Sequence, residues 1–237
     1  MEKSALELAS EFSHAVEDCL KAIFLLAQEE RGASTSALAE RLGISPGAVT
    51  KMVKKLASLR LVDHSPYRGV TLTPAGEKIA LEVIRHHRLL ELYLHETLGY
   101  SWDQVHSEAE RLEHVLSEQM EEKIDALLGR PALDPHGDPI PSREGTLSPP
   151  PATRLSDLPD GHAATVARVQ NDDPELLRYL GRLGLYPGAA VYVRGREPFS
   201  GPLFIRVGET EHAIGREVGD SVYVRLAPAA TEAPEVC

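Results

Sequence analysis

Cysteine and long apolar runs are scarce in this sequence of 237 residues. The two cysteines, Cys19 and Cys237, stand near opposite ends and form no CxxC pair, so no disulfide framework is predicted. No apolar run approaches the ~20 residues that a membrane span needs, and residues 1–7 are charged and lack the apolar core of a signal peptide. We therefore expect a cytoplasmic protein with no membrane partner and with one to three domains.

Positive charge is also in short supply, since 25 basic residues face 36 acidic ones and the formal net charge is −11. This negative net charge argues weakly against nucleic acid as a partner, but the charge of each segment acts locally. Residues 36–70 carry six basic and two acidic side chains, and six minus two gives +4, whereas residues 103–122 carry seven carboxylates and one arginine. The first segment therefore suits phosphates and the second suits cations.

Residues 4–72 predict a winged helix-turn-helix. Apolar residues recur at helical spacing over residues 4–30, and a short helix and a tight turn follow. Ser45 is placed to cap the next helix, with Pro46 as its first residue. Lysines face outwards from that helix, and the chain after it alternates about a Pro/Gly turn, as a β-hairpin wing would.

A three-helix core with a solvated basic face is the plain alternative, but the turn, the cap and the wing together favour DNA binding. Contacts with the major groove are expected from the start of the second helix, at Ser45, Pro46, Gly47, Thr50 and Lys51. Contacts with phosphates are expected from Lys54, Tyr67 and Arg68.

A long acidic helix is predicted from about Trp102 to Leu128, after another long helix over residues 75–98. At about 100° per residue, with His106 as zero, Glu113 lies near −20°, Glu110 near 40° and His114 near 80°. This arc borders a predicted buried stripe formed by Val105, Ala109, Leu112, Leu116 and Met120. The preceding helix adds His87 and Glu91, which are four residues apart and share a face. A metal site and a network of surface ion pairs both remain open for these residues.

The last third of the chain changes character. Short β-branched runs separated by glycine turns predict a small SH3-like β-barrel with one helix at residues 174–183. The expected fold class is α+β, with these parts: a winged helix-turn-helix at 1–74, a helical dimerisation and metal-binding domain at 75–143, a Pro-rich linker at 144–159, the SH3-like domain at 160–228 and a disordered tail at 229–237.

Taken together, these features resemble the DtxR/MntR family of metal-dependent repressors over nearly the whole chain. The similarity lies in the recognition helix, the wing, the two helices with histidines and glutamates, and a Pro/Gly-rich loop. Its segments are Val49-Thr-Lys-Met-Val53, Tyr67-Arg-Gly69, His86-His-Arg-Leu-Leu90 with Glu91, Val105-His106, Glu113-His114 and Pro135-His-Gly-Asp-Pro-Ile-Pro141. The recognition helix is closest to the manganese branch, whereas the FeoA-type β-domain is found in the longer, iron-type members.

The resemblance implies two neighbouring metal sites. The main site would use Asp18, Glu110, Glu113 and His114. The second would use His87, Glu91 and His106, completed by a carboxylate of the β-domain, for which Asp172 and Glu175 align best and Asp173 is one residue away. Iron-type members have Met and Cys where this chain has Asp18 and Glu110, and carboxylates favour the harder Mn²⁺. Fe²⁺ is the alternative, and other divalent ions are expected to substitute in vitro.

One position departs from the manganese branch, which has a glutamate three residues after the aspartate. This chain has Lys21 there, which argues against a two-metal cluster of that kind. The resemblance implies a Mn²⁺-responsive homodimeric repressor of metal-uptake genes, in which metal activates binding to a palindromic operator.

Two other functions are weighed against this one. The first is a winged-helix regulator that senses a small organic ligand, with the histidines and glutamates merely structural. The second is a metal-dependent hydrolase, but the sequence has no HExxH motif and no candidate general base. A regulator, and not an enzyme, is therefore predicted.

Overall fold

The structure is a computed structural model that describes residues 13–28, 32–65, 69–148, 150–170 and 173–226. It divides into two compact units. The first contains the chain up to Tyr93 with residues 107–132 and 140–148, and the second contains residues 94–106, 133–139 and the chain from Pro149 onwards. None of the described helices is long and apolar enough to cross a membrane.

From residue 13 onwards, the described part of the first unit opens with three helices and a β-hairpin: α1 (His14–Ala27), α2 (Thr35–Leu42), α3 (Pro46–Ser58), β1 (Val62–Ser65) and β2 (Gly69–Leu72). Gly43 ends α2 in the left-handed conformation with φ 63°, which glycine adopts without steric cost. The side chain of Ser45 accepts from the Ala48 backbone N–H and caps α3. The winged helix-turn-helix predicted from the sequence is confirmed within the described residues.

Apolar side chains from the three helices and both strands form one core beneath the wing. Leu20, Ile23, Leu38 and Leu56 are fully buried in it, and each contributes about 1.5–3 kcal/mol of hydrophobic stabilisation. Cys19 belongs to the same core and has no exposed surface. Burial, together with the charge of Asp18, raises the pKa of the Cys19 thiol to about 11. Cys19 is therefore a packing residue of this core.

Three more helices follow the wing: α4 (Pro74–Glu96), α5 (Val105–Leu112) and α6 (Glu118–Leu127). The single acidic helix expected from about Trp102 to Leu128 is wrong, because residues 113–117 form a turn. The side chain of Ser117 accepts from the Met120 backbone N–H and starts α6. The predicted buried stripe is also wrong in part, since Val105 and Ala109 are fully buried but Leu112 and Met120 are 39% and 48% exposed.

The second unit contains a six-stranded antiparallel sheet with the order β3-β8-β4-β5-β6-β7. Its elements are β3 (Thr153–Arg154), a 3₁₀ turn (Leu155–Asp157), β4 (Ala163–Val169), α7 (Pro174–Leu183), β5 (Ala190–Arg196), β6 (Leu203–Val207), β7 (Thr210–Ile214), α8 (Arg216–Asp220) and β8 (Val222–Leu226). The α+β fold class and the helix at 174–183 are confirmed. The structure adds β3 and β7, and Leu155 and Leu158 are fully buried although they lie in the stretch expected to be a linker. The tail expected at 229–237 lies outside the described residues.

A Pro/Gly-rich loop, residues 133–139, packs against β4 in this unit. Asp134 accepts from the backbone N–H groups of His136 and Asp138, and this bonding closes the loop on itself. The Val169 N–H donates to the His136 carbonyl. Gly137 has φ 88°, and a Cβ at that position would meet the Ala167 carbonyl oxygen at 2.1 Å. The loop therefore needs glycine here, both for its conformation and for the close approach of the two backbones.

Candidate metal centre and DNA-binding face

One side of α1 and the turn after α5 bring together a cluster of possible metal ligands within the first unit. Asp18, Glu113 and His114 each offer a ligand atom, and these atoms all lie within 4.8 Å of one another. The set consists of two carboxylates and one imidazole, with no sulfur. Such oxygen-rich donor sets suit Mn²⁺ and Fe²⁺, so the residues present fit the divalent ion that the sequence analysis expects.

His114 is held between three carboxylates. Its Nε2 lies 2.8 Å from Asp18 Oδ1 and 3.5 Å from Glu113 Oε1, and its Nδ1 lies 2.6 Å from Glu17 Oε2. Burial alone would lower the pKa of His114, but hydrogen bonds to Asp18 and Glu17 outweigh it and raise that pKa to about 9. His14 also stacks on the His114 ring with centroids 4.7 Å apart.

Glu17 is a functional candidate that the sequence analysis missed. Its carboxylate is 5% exposed and bonds the ring nitrogen of His114 that does not face Asp18. A histidine ligand is commonly oriented in this way by a carboxylate on its other nitrogen. The sequence did contain a signal for Glu17, because it directly precedes Asp18 and two consecutive acidic residues on a mostly buried helix are unusual.

Glu113 lies at the centre of a second set of contacts. Lys21 Nζ donates to both of its oxygens, at 2.9 and 2.8 Å, and lies 3.2 Å from His87 Nδ1. His87 Nδ1 contacts the same carboxylate, and His87 Nε2 lies 3.0 Å from Glu91 Oε1. Burial would raise the pKa of Glu113, but the hydrogen bond from His87 and the charge of Lys21 hold it below its usual range.

The other predicted ligands have mixed outcomes. Glu110 lies exposed on α5 and is not a member of the described group formed by Asp18, Glu113 and His114. The helical arc that joined these residues assumed an unbroken helix, and the chain leaves the helix at Leu112.

The predicted second site is divided between the two units. His87 and Glu91 belong to the first unit, and His106 and Glu175 belong to the second. Asp172 lies outside the described residues. Asp173 caps α7 by accepting from the Glu175 N–H at 2.8 Å. The assignment of this site stays a prediction.

The predicted DNA contacts share one exposed part of α3 and its cap. Val49, Val53 and Leu56 are buried against the core, whereas the six described contact residues are exposed: Ser45, Pro46, Gly47, Thr50, Lys51 and Lys54. The Thr50 hydroxyl donates to the Pro46 carbonyl at 2.9 Å. Tyr67 and Arg68, predicted to contact phosphates from the wing, lie outside the described residues.

The winged helix-turn-helix and the adjoining ligand cluster define a class, that of metal-responsive DNA-binding regulators. Three family models match the chain: the N-terminal DNA-binding domain of iron-dependent repressors at residues 11–70, their metal-binding and dimerisation domain at 73–142, and the FeoA domain at 153–226. The iron-dependent repressor IdeR of Mycobacterium leprae is 31% identical over 217 residues, which are 86% of this chain and 94% of that protein.

Other similar proteins carry manganese in their names or titles. The transcriptional regulator MntR of Geobacillus kaustophilus is 36% identical over 114 residues, 48% of this chain and 80% of that protein. A solved manganese-dependent transcriptional repressor in complex with manganese superposes with a TM-score of 0.84 at 39% identity, covering 90% of this chain and all of that one. The chain belongs to the iron-dependent repressor family of metal-dependent transcriptional repressors, and the resemblance to the DtxR/MntR family is confirmed.

Proposed function

We propose that this protein is a Mn²⁺-responsive repressor in which Asp18, Glu113 and His114 hold the activating ion. The observation that carries the proposal is the 2.8 Å contact between His114 Nε2 and Asp18 Oδ1. Asp18 lies within residues 11–70, which match the DNA-binding domain, and His114 lies within residues 73–142, which match the metal-binding and dimerisation domain. The site therefore joins the segment that contacts DNA to the segment that forms the dimer.

This junction explains how metal would control DNA binding. A divalent ion bound there would replace the repulsion between the carboxylates with attraction and keep α1 beside the turn after α5. In a dimer, the orientation of α1 sets the separation of the two α3 helices, and that separation must match two half-sites of a palindrome. Coupling of this kind is typically worth about 1–3 kcal/mol.

The donor set favours Mn²⁺ over Fe²⁺. Neither sulfur of the iron-type pattern is present, because Asp18 and Glu110 stand at the two positions concerned. Fe²⁺ stays the second candidate, since the similar IdeR proteins are named iron-dependent repressors. Repression of metal-uptake genes and the absence of catalytic activity follow from the same proposal.

Homodimer formation is supported by apolar side chains on and around α5 and α6. Leu112, Val115, Met120 and Leu127 are between 39% and 67% exposed in the single chain. Exposed apolar residues at this density mark interaction surfaces, and the segment lies inside the region that matches the dimerisation domain.

The test begins with a pool of random double-stranded DNA selected by the full chain in the presence of Mn²⁺. The recovered sequence is then used in a gel-shift titration with Mn²⁺, with Fe²⁺ under anaerobic conditions, and with a chelator. We expect a palindromic sequence, binding that the chelator abolishes, and activation at lower free Mn²⁺ than Fe²⁺. DNA binding that is indifferent to metal would overturn the proposal and favour a regulator that senses an organic ligand.

A further inference from the structure

Lys21 lies inside the candidate metal centre, although a lysine cannot be a ligand while it is charged. Its Nζ donates to both oxygens of Glu113, at 2.9 and 2.8 Å, and lies 3.2 Å from Nδ1 of His87. The side chain of Lys21 is 13% exposed and that of Glu113 is 1% exposed. The ammonium group is therefore a nearly buried cation with carboxylate and imidazole neighbours, which are the surroundings that a metal ion would also require.

Glu113 is positioned to serve two cations at once. One of its oxygens, Oε1, lies 3.5 Å from His114 Nε2 on the side of Asp18, and both oxygens accept from Lys21. A carboxylate has about four acceptor positions, so it can bind an ion beside Asp18 and His114 and keep the lysine. A second ion between Glu113 and His87 would overlap the ammonium and be repelled by it.

The local charges also balance with a single divalent ion. Glu17, Asp18 and Glu113 supply three negative charges around His114, and one divalent ion plus the ammonium of Lys21 supply three positive ones. Another divalent ion would leave an excess of positive charge in a buried setting, which is costly.

We propose that the ammonium group of Lys21 occupies the place of a second metal ion, so that this centre binds one divalent ion per subunit. Glu113 would contact both that ion and the ammonium group. This inference rests on the proposed function, because it assumes that Asp18, Glu113 and His114 bind metal. It makes Lys21 a residue that sets the number of ions, and it gives α1 a link to Glu113 that exists before metal binds.

The decisive experiment counts bound Mn²⁺ and detects pairs of ions in the full-length protein. The apoprotein is titrated with Mn²⁺, free ion is measured by electron paramagnetic resonance, and the saturated sample is inspected for the signal of an exchange-coupled pair. Such coupling requires two ions roughly 3.5–4 Å apart, so ions at a separate site do not produce it. We expect the wild-type protein to show no coupled pair.

Lys21→Glu should bind one more Mn²⁺ per subunit and show the coupled pair, because it replaces the fixed cation with another ligand. The control is Lys123→Glu, which makes the same charge change at an exposed position of α6 and should behave as wild type. A coupled pair in the wild-type protein, or equal Mn²⁺ counts in the two variants, would overturn the inference.

Lys21→Gln provides a second readout that does not depend on gaining an ion. Without the ammonium, Glu113 is a buried and less compensated charge, so the apoprotein should melt at a lower temperature than wild type. Saturating Mn²⁺ should then raise Tm more in Lys21→Gln than in wild type or in Lys123→Gln. Equal shifts would show that Lys21 does not substitute for an ion.

The two proposals fail in different ways. If the wild-type protein binds no Mn²⁺, or binds it without a change in DNA affinity, the proposed function fails. If it binds a coupled pair and is still activated by Mn²⁺, only the role of Lys21 fails.

Discussion

In our proposal, the orientation of the His114 ring depends on Glu17, a residue that does not touch the ion. The Nδ1 of this ring faces Glu17 and its Nε2 faces Asp18. When a metal ion displaces the proton from Nε2, Glu17 would keep the other proton on Nδ1 and hold the ring in place. The same bond prevents the imidazole from rotating away when the metal leaves. Outer carboxylates of this kind typically change metal affinity by about 10–100-fold.

Glu17→Gln should therefore weaken Mn²⁺ binding by about 10–100-fold while the protein stays folded. Isothermal titration calorimetry would measure the affinity, and circular dichroism would check the fold. Glu108→Gln is the matched control, since Glu108 lies on α5 and accepts from Arg111 at 3.0 Å in a solvent-accessible pair. Equal affinity in the two variants would remove Glu17 from the site.

Lys51→Ala should change which DNA sequences are preferred, because Lys51 is proposed to contact a base edge from the exposed part of α3. The expected loss is about 1–3 kcal/mol on the preferred operator and less on operators altered at one base pair. Lys54→Ala, at a proposed phosphate contact, should weaken all sequences alike. A uniform loss for Lys51→Ala, measured by fluorescence anisotropy over a set of duplexes, would reassign it to the phosphates.

At the level of elements, an ion-pair network joins α4 to α6. Arg85 donates to Glu121 at 2.6 Å and to the Pro141 carbonyl at 2.8 Å, and it lies 3.2 Å from Asp125. His86 lies 3.3 Å from Glu121 through Nε2 and contacts the Glu113 carbonyl through Nδ1. The contact between His86 and the Glu113 carbonyl thus joins the turn that carries Glu113 and His114 to α4.

This network makes stability depend on pH in a defined direction. Burial would raise the pKa of Glu121, but hydrogen bonds from His86 and Arg85 lower it from 4.5 to about 2. A lowered folded pKa means that Glu121 stabilises the fold above pH 4.5, and that this stabilisation is lost as the pH falls towards 2.

Glu121→Gln should accordingly cost about 3 kcal/mol at pH 7, near the lower end for a broken buried pair, because Arg85 keeps two other partners. The difference from wild type should shrink as the pH is lowered below 4.5. Urea denaturation of the apoprotein at a series of pH values from about 7 down to about 3, through which the stabilisation begins to be lost, would measure it. Glu122→Gln, on the exposed side of α6, should show no such trend.

The loop at residues 133–139 gives a second prediction for an element. Gly137→Ala should destabilise the second unit by about 2 kcal/mol or more, since it combines a positive φ with a Cβ at 2.1 Å from the Ala167 carbonyl. Gly215→Ala is the control, because Gly215 has φ −66° and no atom within 4 Å of its Cβ. Equal melting temperatures for the two variants would contradict the packing described for this loop.

For the whole molecule, the proposed coupling between metal and DNA must act in both directions. If Mn²⁺ raises operator affinity, the operator raises Mn²⁺ affinity by the same factor, which is about 5–150-fold for typical coupling energies. Mn²⁺ titrations with the selected operator and with a scrambled duplex of equal length would measure that factor. Identical Mn²⁺ affinities on the two duplexes would mean that metal and sequence-specific binding are independent.

Much of the fold could be predicted because its signals are local. The cap at Ser45, the glycine at position 43 and the periodicity of α3 each act within a few residues, so they determine the helix-turn-helix. The break after α5 was missed because acidic residues continue through it and Ser117 is a weak signal among them. Strands β3 and β7 were missed because one is two residues long and the other is largely polar.

The site could be predicted in part, because helical spacing singled out Glu113 and His114 and the family resemblance added Asp18. Asp18, Glu113 and His114 are brought together as that resemblance implies. The contacts of Glu17 and Lys21 were not foreseen, because they join residues 97 and 92 positions apart in the chain. Helical periodicity carries no information about partners at that distance.

The fixed ammonium beside Glu113 has a consequence for how sharply the protein would respond to its environment. A centre that must load two ions before it acts responds to roughly the square of the free concentration, whereas a centre that needs one ion follows a simple saturation curve. With Lys21 already in place, each subunit would fill gradually as manganese rises. Pairs of ions within this centre would then not steepen the curve, and the pairing of two subunits on one operator would be one source of a steeper response in gene repression.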